Sequence, residues 1–151
     1  MAEAWRIIKA KHAGTAFSGE GAALSGGRWN SKGVKVFYAS ATSSLAALEN
    51  LVHINPPVLF KYVSFRIELH DSLIEKIVHF TLPKDWDSHP PSPATQKIGD
   101  DWFHAGRSVV LAVPSVIIRN EQNFLFNPAH PDFKKIKIGK PEPFTFDPRL
   151  L

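Results

Sequence analysis

The sequence predicts a single α+β domain, and three observations carry that prediction. Residues 62–69 alternate along a full strand, with Val63, Phe65, Ile67 and Leu69 on one side and Tyr62, Ser64, Arg66 and Glu68 on the other. Two other stretches, from Thr42 to about His53 and from Pro93 to Gly106, repeat their apolar residues at helical spacing. The 151 residues contain no internal repeat and no linker, so both kinds of element belong to one domain spanning 1–151.

The elements follow in order. Ala4–Ala10 is bulky, β-branched and free of breakers, which predicts a first strand. Arg6 lies inside it, either facing solvent or turned toward a site. Residues 13–27 are rich in glycine, alanine and serine and read as a loop whose glycines let the backbone approach a ligand. Val34–Ala39 alternates, placing Val34, Val36 and Tyr38 on one face. Ser40 or Thr42 offers the N-cap of the following helix, which Asn55-Pro56-Pro57 stops. Leu45, Leu48 and Val52 form its apolar stripe, and Glu49 shares that inward face. A buried carboxylate without a partner costs several kcal/mol, so Glu49 either pairs, lines a cavity, or sits at the edge of the stripe.

After the strand at 62–69, a short helix is expected at Ser72–Ile77, then a proline-rich surface loop at 81–93. Ser92-Pro93 reads as an N-cap followed by proline in the first helical turn, with Ile98, Trp102 and Ala105 at helical spacing. Ser108–Val113 is almost wholly apolar, as in a strand covered on both faces, and Pro114 ends it with Ser115 at its exit. A second short apolar run, Val116–Ile118, precedes a turn. Asn123–Phe126 leads into the rigid turn Asn127-Pro128-Ala129-His130-Pro131. Lys135–Ile138 and Phe144–Phe146 are expected as edge strands, protected by Pro141 and Pro143.

Composition narrows the function classes. The chain is 44% hydrophobic and 21% charged, which is enough apolar material for a core. It has no cysteine, so thiolate and disulfide chemistry are excluded, and an intracellular, cytoplasmic setting is expected. Neither a signal peptide nor a membrane-spanning run is legible. The net charge of +4 raises a nucleic-acid-binding or RNA-cleaving alternative, but the basic residues are scattered, gathering only at Lys134, Lys135, Lys137 and Lys140. An anionic substrate or an acidic partner fits that charge equally well. The seven histidines show no HExxH and no tight pairing, so no metal is expected, with His130 in its turn the one to watch. There is no GxGxxG between a strand and a helix, no Walker loop and no GxSxG elbow.

The stretch from Gly26 to Leu51 then stands out, because it delivers the cation Arg28, the phenol Tyr38 and the carboxylate Glu49 within one supersecondary unit. The ordered motifs GGRWNSKG, VFYAS, ALEN, VPSVI and NFLFNPAHPDF, with IGDDWFHAG before the serine strand, resemble the RES domain, named for its arginine, glutamate and serine. The similarity runs from about Arg6 to Phe133. It implies a compact fold like that of the mono-ADP-ribosyltransferase toxins, around a split sheet with flanking helices. It also implies the toxin of a bacterial toxin–antitoxin pair, acting on NAD by phosphorolysis or hydrolysis, with transfer of ADP-ribose to a protein as the alternative. Inorganic phosphate is then an expected co-substrate. The expected partner is an Xre-like helix-turn-helix antitoxin, through which alone operator DNA is contacted, and a homodimer within a larger assembly is expected. Arg28, Glu49 and Ser115 become the catalytic candidates. Arg6, Arg28, Tyr38 and Asn127 become candidates for holding NAD, with an Asx-turn as the other role open to Asn127.

Overall fold

The computed structural model describes residues 1–53, 60–77 and 79–150. Its strands are β1 (Ala2–Lys9), β2 (Phe37–Ser40), β3 (Tyr62–Leu69), β4 (Ile74–Lys76), β5 (Val110–Pro114), β6 (Gln122–Phe126), β7 (Lys137–Ile138) and β8 (Glu142–Phe144). The α-helices are α1 (Glu20–Ser25), α2 (Ser43–Leu51) and α3 (Pro93–Ala105). The strands form one eight-stranded sheet in the order β4-β5-β6-β2-β1-β3-β7, with β8 also pairing β3. Only β4 and β5 run parallel; every other pair is antiparallel.

The sheet is nearly divided in its middle. β1 pairs with β3 along its whole length, from Ala2↔Leu69 to Lys9↔Tyr62, but meets β2 only at Trp5↔Ser40. At that thin junction Arg6 replaces backbone pairing: Nη1 donates to the Tyr38 carbonyl at 2.7 Å and Nε to the Ala16 carbonyl at 2.8 Å. This is the physical content of the split sheet.

The two faces bury different clusters. One face is filled by Ala4, Phe37, Ala39, Ile67, Val110, Phe124 and Phe126, where Phe37 stacks on Phe126 at 4.6 Å. On the other, Val36, Leu111, Val113 and Leu125 pack with Trp29 and with Trp102 of α3, while α2 brings Ala46 to Ile7, Tyr62 and Phe146. Phe65, Ile67 and Leu69 are buried as the alternation of β3 predicts, and Tyr62 is buried as well because Phe146 covers its end of the opposite face.

Four expectations are corrected. The glycine-rich stretch is not all loop: residues 10–15 form a 3₁₀ turn and α1 occupies Glu20–Ser25, bracketed by Gly19 and Gly26 at φ 79° and 71°. Those glycines supply the two left-handed positions that a six-residue helix needs to enter and leave so abruptly. Ser72–Ile77 holds a 3₁₀ turn and then β4, because Ile74–Lys76 finds a parallel partner in Val110–Ala112. Val52 is 60% exposed and Ala105 is exposed, each lying at the C-terminal end of its helix. The expected stop at residues 55–57 lies outside the described residues.

Candidate active site

The Glu49 carboxylate is placed by α2. Thr42 caps that helix, its hydroxyl accepting from the Leu45 amide at 3.1 Å. Leu45 is 1% exposed and anchors the inner face. Glu49 lies one turn further on and reaches the ends of β5 and β6. Its Oε1 accepts two hydrogen bonds, from Ser115 Oγ at 2.8 Å and from Asn123 Nδ2 at 2.7 Å. Among the described residues Oε2 makes none. Ser115 is fully buried and its hydroxyl is saturated, because it also accepts from the amides of Ile117 and Ile118 at 3.1 and 3.2 Å. Pro114 closes β5 and turns the chain there, so the serine caps the turn and aims its one proton at Glu49.

Arg28 is placed by a loop that the rest of the domain grips from both sides. Trp29 is 3% exposed, and Asn30 is fully buried with its amide donating to the carbonyls of Ala22, Ser31 and Val34. Asn30 Oδ1 accepts from the Tyr38 hydroxyl at 2.6 Å. Gly27 is required here, since a Cβ would lie 2.8 Å from Asn30 Oδ1 and 2.9 Å from the Tyr38 oxygen. From α3, Gln96 donates to the Gly27 carbonyl, and Asp100 accepts from Ser31 N at 3.0 Å and Ser31 Oγ at 2.5 Å.

The guanidinium of Arg28 closes on the proline-rich segment. Nη1 donates to the carbonyls of Trp86 and Ser88 at 2.9 and 2.8 Å, and Nη2 meets His89 Nδ1 at 3.1 Å. Nε–H and one of the two Nη2 hydrogens stay unused among the described residues, leaving donors on one edge of the fork. Burial lowers the Arg28 pKa, opposed by the negative charges of Glu49 and Asp87.

Tyr38 shares this face. Its hydroxyl is engaged by Asn30 and by the Trp29 amide at 3.3 Å, and burial raises its pKa. Arg6 and Asn127 are not brought to the cluster. Arg6 lies beside the Phe37 ring at 5.5 Å, and Phe37 and Tyr38 are consecutive on β2, hence on opposite faces. Desolvation lowers the Arg6 pKa to about 10. Asn127 follows the far end of β6, about 13 Å along the strand from Asn123. It makes the Asx-turn, with Oδ1 accepting from the Ala129 amide at 3.0 Å. His130 is also tied up locally, Nε2 donating to the Gly106 carbonyl at 2.9 Å while Nδ1 accepts from the Asp132 amide. Two shallow grooves of about 280 and 290 Å³, one at Trp5, Ser64 and Arg66 and one at Glu75, Thr81 and Trp102, lie away from Glu49 and Arg28. Among the described residues no three histidine or acidic side chains gather as a metal site.

The chain as a whole is similar to known proteins. Residues 3–147 match the family model of the RES domain. The chain belongs to the RES family. A "Prs ADP-ribosylating toxin" of Sphingobium sp. (strain YBL2) is 40% identical over 139 residues, covering 89% of this chain and 86% of the relative. A "Toxin Res" of Yersinia enterocolitica is 38% identical over 148 residues, covering 97% of each. Among solved structures, a chain of the M. tuberculosis MbcT–MbcA toxin–antitoxin complex superposes with a TM-score of 0.77 at 16% identity, covering 95% of this chain and 84% of that one. At that identity the likeness is one of fold.

Two residues beside the Glu49 carboxylate are not read from sequence as site candidates: Asn123, and Ser40, expected as one of two N-cap candidates, a role that Thr42 fills. They are direct register partners across β2 and β6, and Ser40 Oγ donates to Asn123 Oδ1 at 2.7 Å. The available signal was weak, a lone asparagine beginning the run Phe124-Leu125-Phe126. The grip of residues 86–89 on Arg28 left none, since backbone carbonyls provide most of it.

Proposed function

We propose that this RES domain is the toxin of a toxin–antitoxin pair and cleaves the nicotinamide–ribose bond of NAD. The observation that carries the reading is the Glu49 carboxylate, with Oε1 fixed by two donors and Oε2 unengaged among the described residues. Breaking that bond sends its electron pair to the pyridine nitrogen, so nicotinamide leaves neutral and the ribose carbon becomes cation-like. Glycoside cleavage passes through a similar state, which a nearby carboxylate stabilises. Glu49 takes that role, facing the ribose with Oε2. The unused donors of Arg28 suit the diphosphate, which favours a planar guanidinium. Tyr38 offers its ring to the nicotinamide, since its hydroxyl is already engaged. Ser115 acts as a positioning residue: its single proton goes to Glu49 and both its lone pairs are filled.

The ADP-ribosyl carbon then bonds to an oxygen of phosphate or water, whose proton passes to solvent. The 40% identity to a toxin named for ADP-ribosylation favours a second reading, in which a protein side chain is the acceptor. The partner would be an Xre-like helix-turn-helix antitoxin acting in the cytoplasm, and likeness to a chain from a toxin–antitoxin complex supports a partner of that kind.

The test is chromatography of products after incubation with NAD, with and without inorganic phosphate. Phosphate-dependent ADP-ribose-1″-phosphate marks a phosphorylase, and phosphate-independent ADP-ribose a glycohydrolase. Intact NAD under both conditions removes the cleavage reading and leaves protein ADP-ribosylation, to be followed with labelled NAD.

A further inference from the structure

We propose that Asn123 is a positioning residue for this reaction, the second of two donors that aim Glu49, and that Ser40 anchors the other end of its amide. The inference rests on the function proposed above and adds the residue that sets its carboxylate.

A carboxylate only accepts hydrogen bonds, so the asparagine atom 2.7 Å from Glu49 Oε1 must be the amide nitrogen. The reverse orientation would set two acceptors against each other. Ser40 completes that orientation from the other side, its hydroxyl donating at 2.7 Å to Asn123 Oδ1. Ser40 is 3% exposed, which leaves its hydroxyl little alternative to that carbonyl. The pair is fixed in turn by the sheet, because Ser40 and Asn123 oppose each other across β2 and β6, and Asn123 opposes Val113 across β5. The carboxylate aim is therefore written into strand register, whereas Ser115 reaches the same Oε1 from a turn after β5. Two donors on one oxygen, one from β6 and one from the turn after β5, fix the plane of the carboxylate. One donor would leave it free to swing about that bond, and charge stabilisation in a transition state depends on groups held in place beforehand.

The test is steady-state NAD turnover by the full chain and its Asn123→Ala, Asn123→Asp and Ser40→Ala variants at neutral pH, with thermal midpoints measured beside it. Asn123→Ala is expected to lower kcat about tenfold to a hundredfold while KM stays within about threefold, since the donor acts on the reacting geometry and not on NAD binding. Asn123→Asp keeps the shape and the bond from Ser40 but turns a carboxylate toward a carboxylate, and it is expected to be slower than Asn123→Ala. A structural role predicts the opposite order, because the isostere would then be the milder change. Ser40→Ala, which leaves Asn123 and Glu49 both present, is expected to lower kcat several-fold and keeps the test available if Asn123→Asp fails to fold. Asn123→Asp as active as Asn123→Ala or more so, or unchanged kcat in Asn123→Ala, overturns the proposal. If the unsubstituted chain leaves NAD intact, the NAD reading falls by itself. Growth arrest on expression then ranks the same variants, and equal arrest by all of them overturns the positioning role too.

Discussion

An asparagine stands at each end of β6, and the two spend their amides on opposite tasks. Asn123, at the start of the strand, points its side chain across the sheet to Ser40 and upward to a carboxylate on α2. Asn127, just past the other end, folds its side chain back on its own chain to the Ala129 amide, while its backbone amide reaches the Val109 carbonyl at 2.9 Å. The side chain of the first is bound to two elements distant in sequence, that of the second to its own turn. Asn127 is 6% exposed and directly follows Phe126 of the buried core. One end of the strand therefore serves a charged site, and the other the core. Residue type did not distinguish them; what each side chain can reach did.

The sharpest way to break this comparison is at Glu49. Glu49→Ala is expected to lower NAD turnover by about a thousandfold or more, on the order of 4 kcal/mol of transition-state stabilisation, since preorganised charge is a large part of such rate enhancements. Glu49 is partly exposed, so the domain is expected to stay folded, with the thermal midpoint lowered by several degrees at most as Ser115 and Asn123 lose their acceptor. A folded Glu49→Ala protein that still turns over NAD, or still arrests growth, would sink the assignment. The opposite pattern is expected of Asn127→Ala. Loss of a buried turn-forming acceptor costs about 1–3 kcal/mol of stability, several degrees in Tm for a domain of this size, with kcat per folded molecule unchanged. If Asn127→Ala instead raises KM for NAD while Tm holds, Asn127 belongs with the ligand contacts and the contrast between the two ends collapses.

The split between what the sequence disclosed and what it hid follows the range of the interactions. The alternation of residues 62–69 and the N-cap pair Ser92-Pro93 are local signals, and β3 and α3 appear where they indicate. The place of Glu49 one turn after Leu45 on α2 is likewise local arithmetic, and of the three roles open to it the structure shows the paired one. The partners themselves could not be read: Ser115 and Asn123 lie 66 and 74 residues from Glu49. For the same reason Arg6, inside a strand with an ambiguous face, gave no sign that it would fill the gap between β1 and β2. β4 looked helical because its three residues take their strand conformation from β5, a partner that no local pattern contains.

The smallest expected effect lies beside the Asn123 end, where Arg119, in the turn between β5 and β6, reaches Asp87 at 2.8 Å. That contact and the Arg28 grip both hold residues 86–89, but they differ in environment. Arg28 is partly buried and satisfies two carbonyls and a histidine nitrogen. Arg119 is 61% exposed and pairs with a carboxylate in water, where ion pairs contribute little and salt screens them. The hydrogen bond from Arg119 is the main cause that holds the Asp87 carboxyl below its ordinary 3.8, aided by the Arg119 and Arg28 charges. The sign follows: a depressed folded value gives a contribution that is complete above the ordinary carboxylate range and disappears as pH falls through the lower, folded value. Asp87→Asn should therefore leave Tm almost unchanged at neutral pH, flatten its decline slightly in acid, and keep KM for NAD within about twofold. Thermal midpoints across acid pH at low and high salt, with KM at neutral pH, provide the measurement. A large loss of stability or a tenfold rise in KM would mean that the exposed pair, and not Arg28, sets the position of the segment over the site.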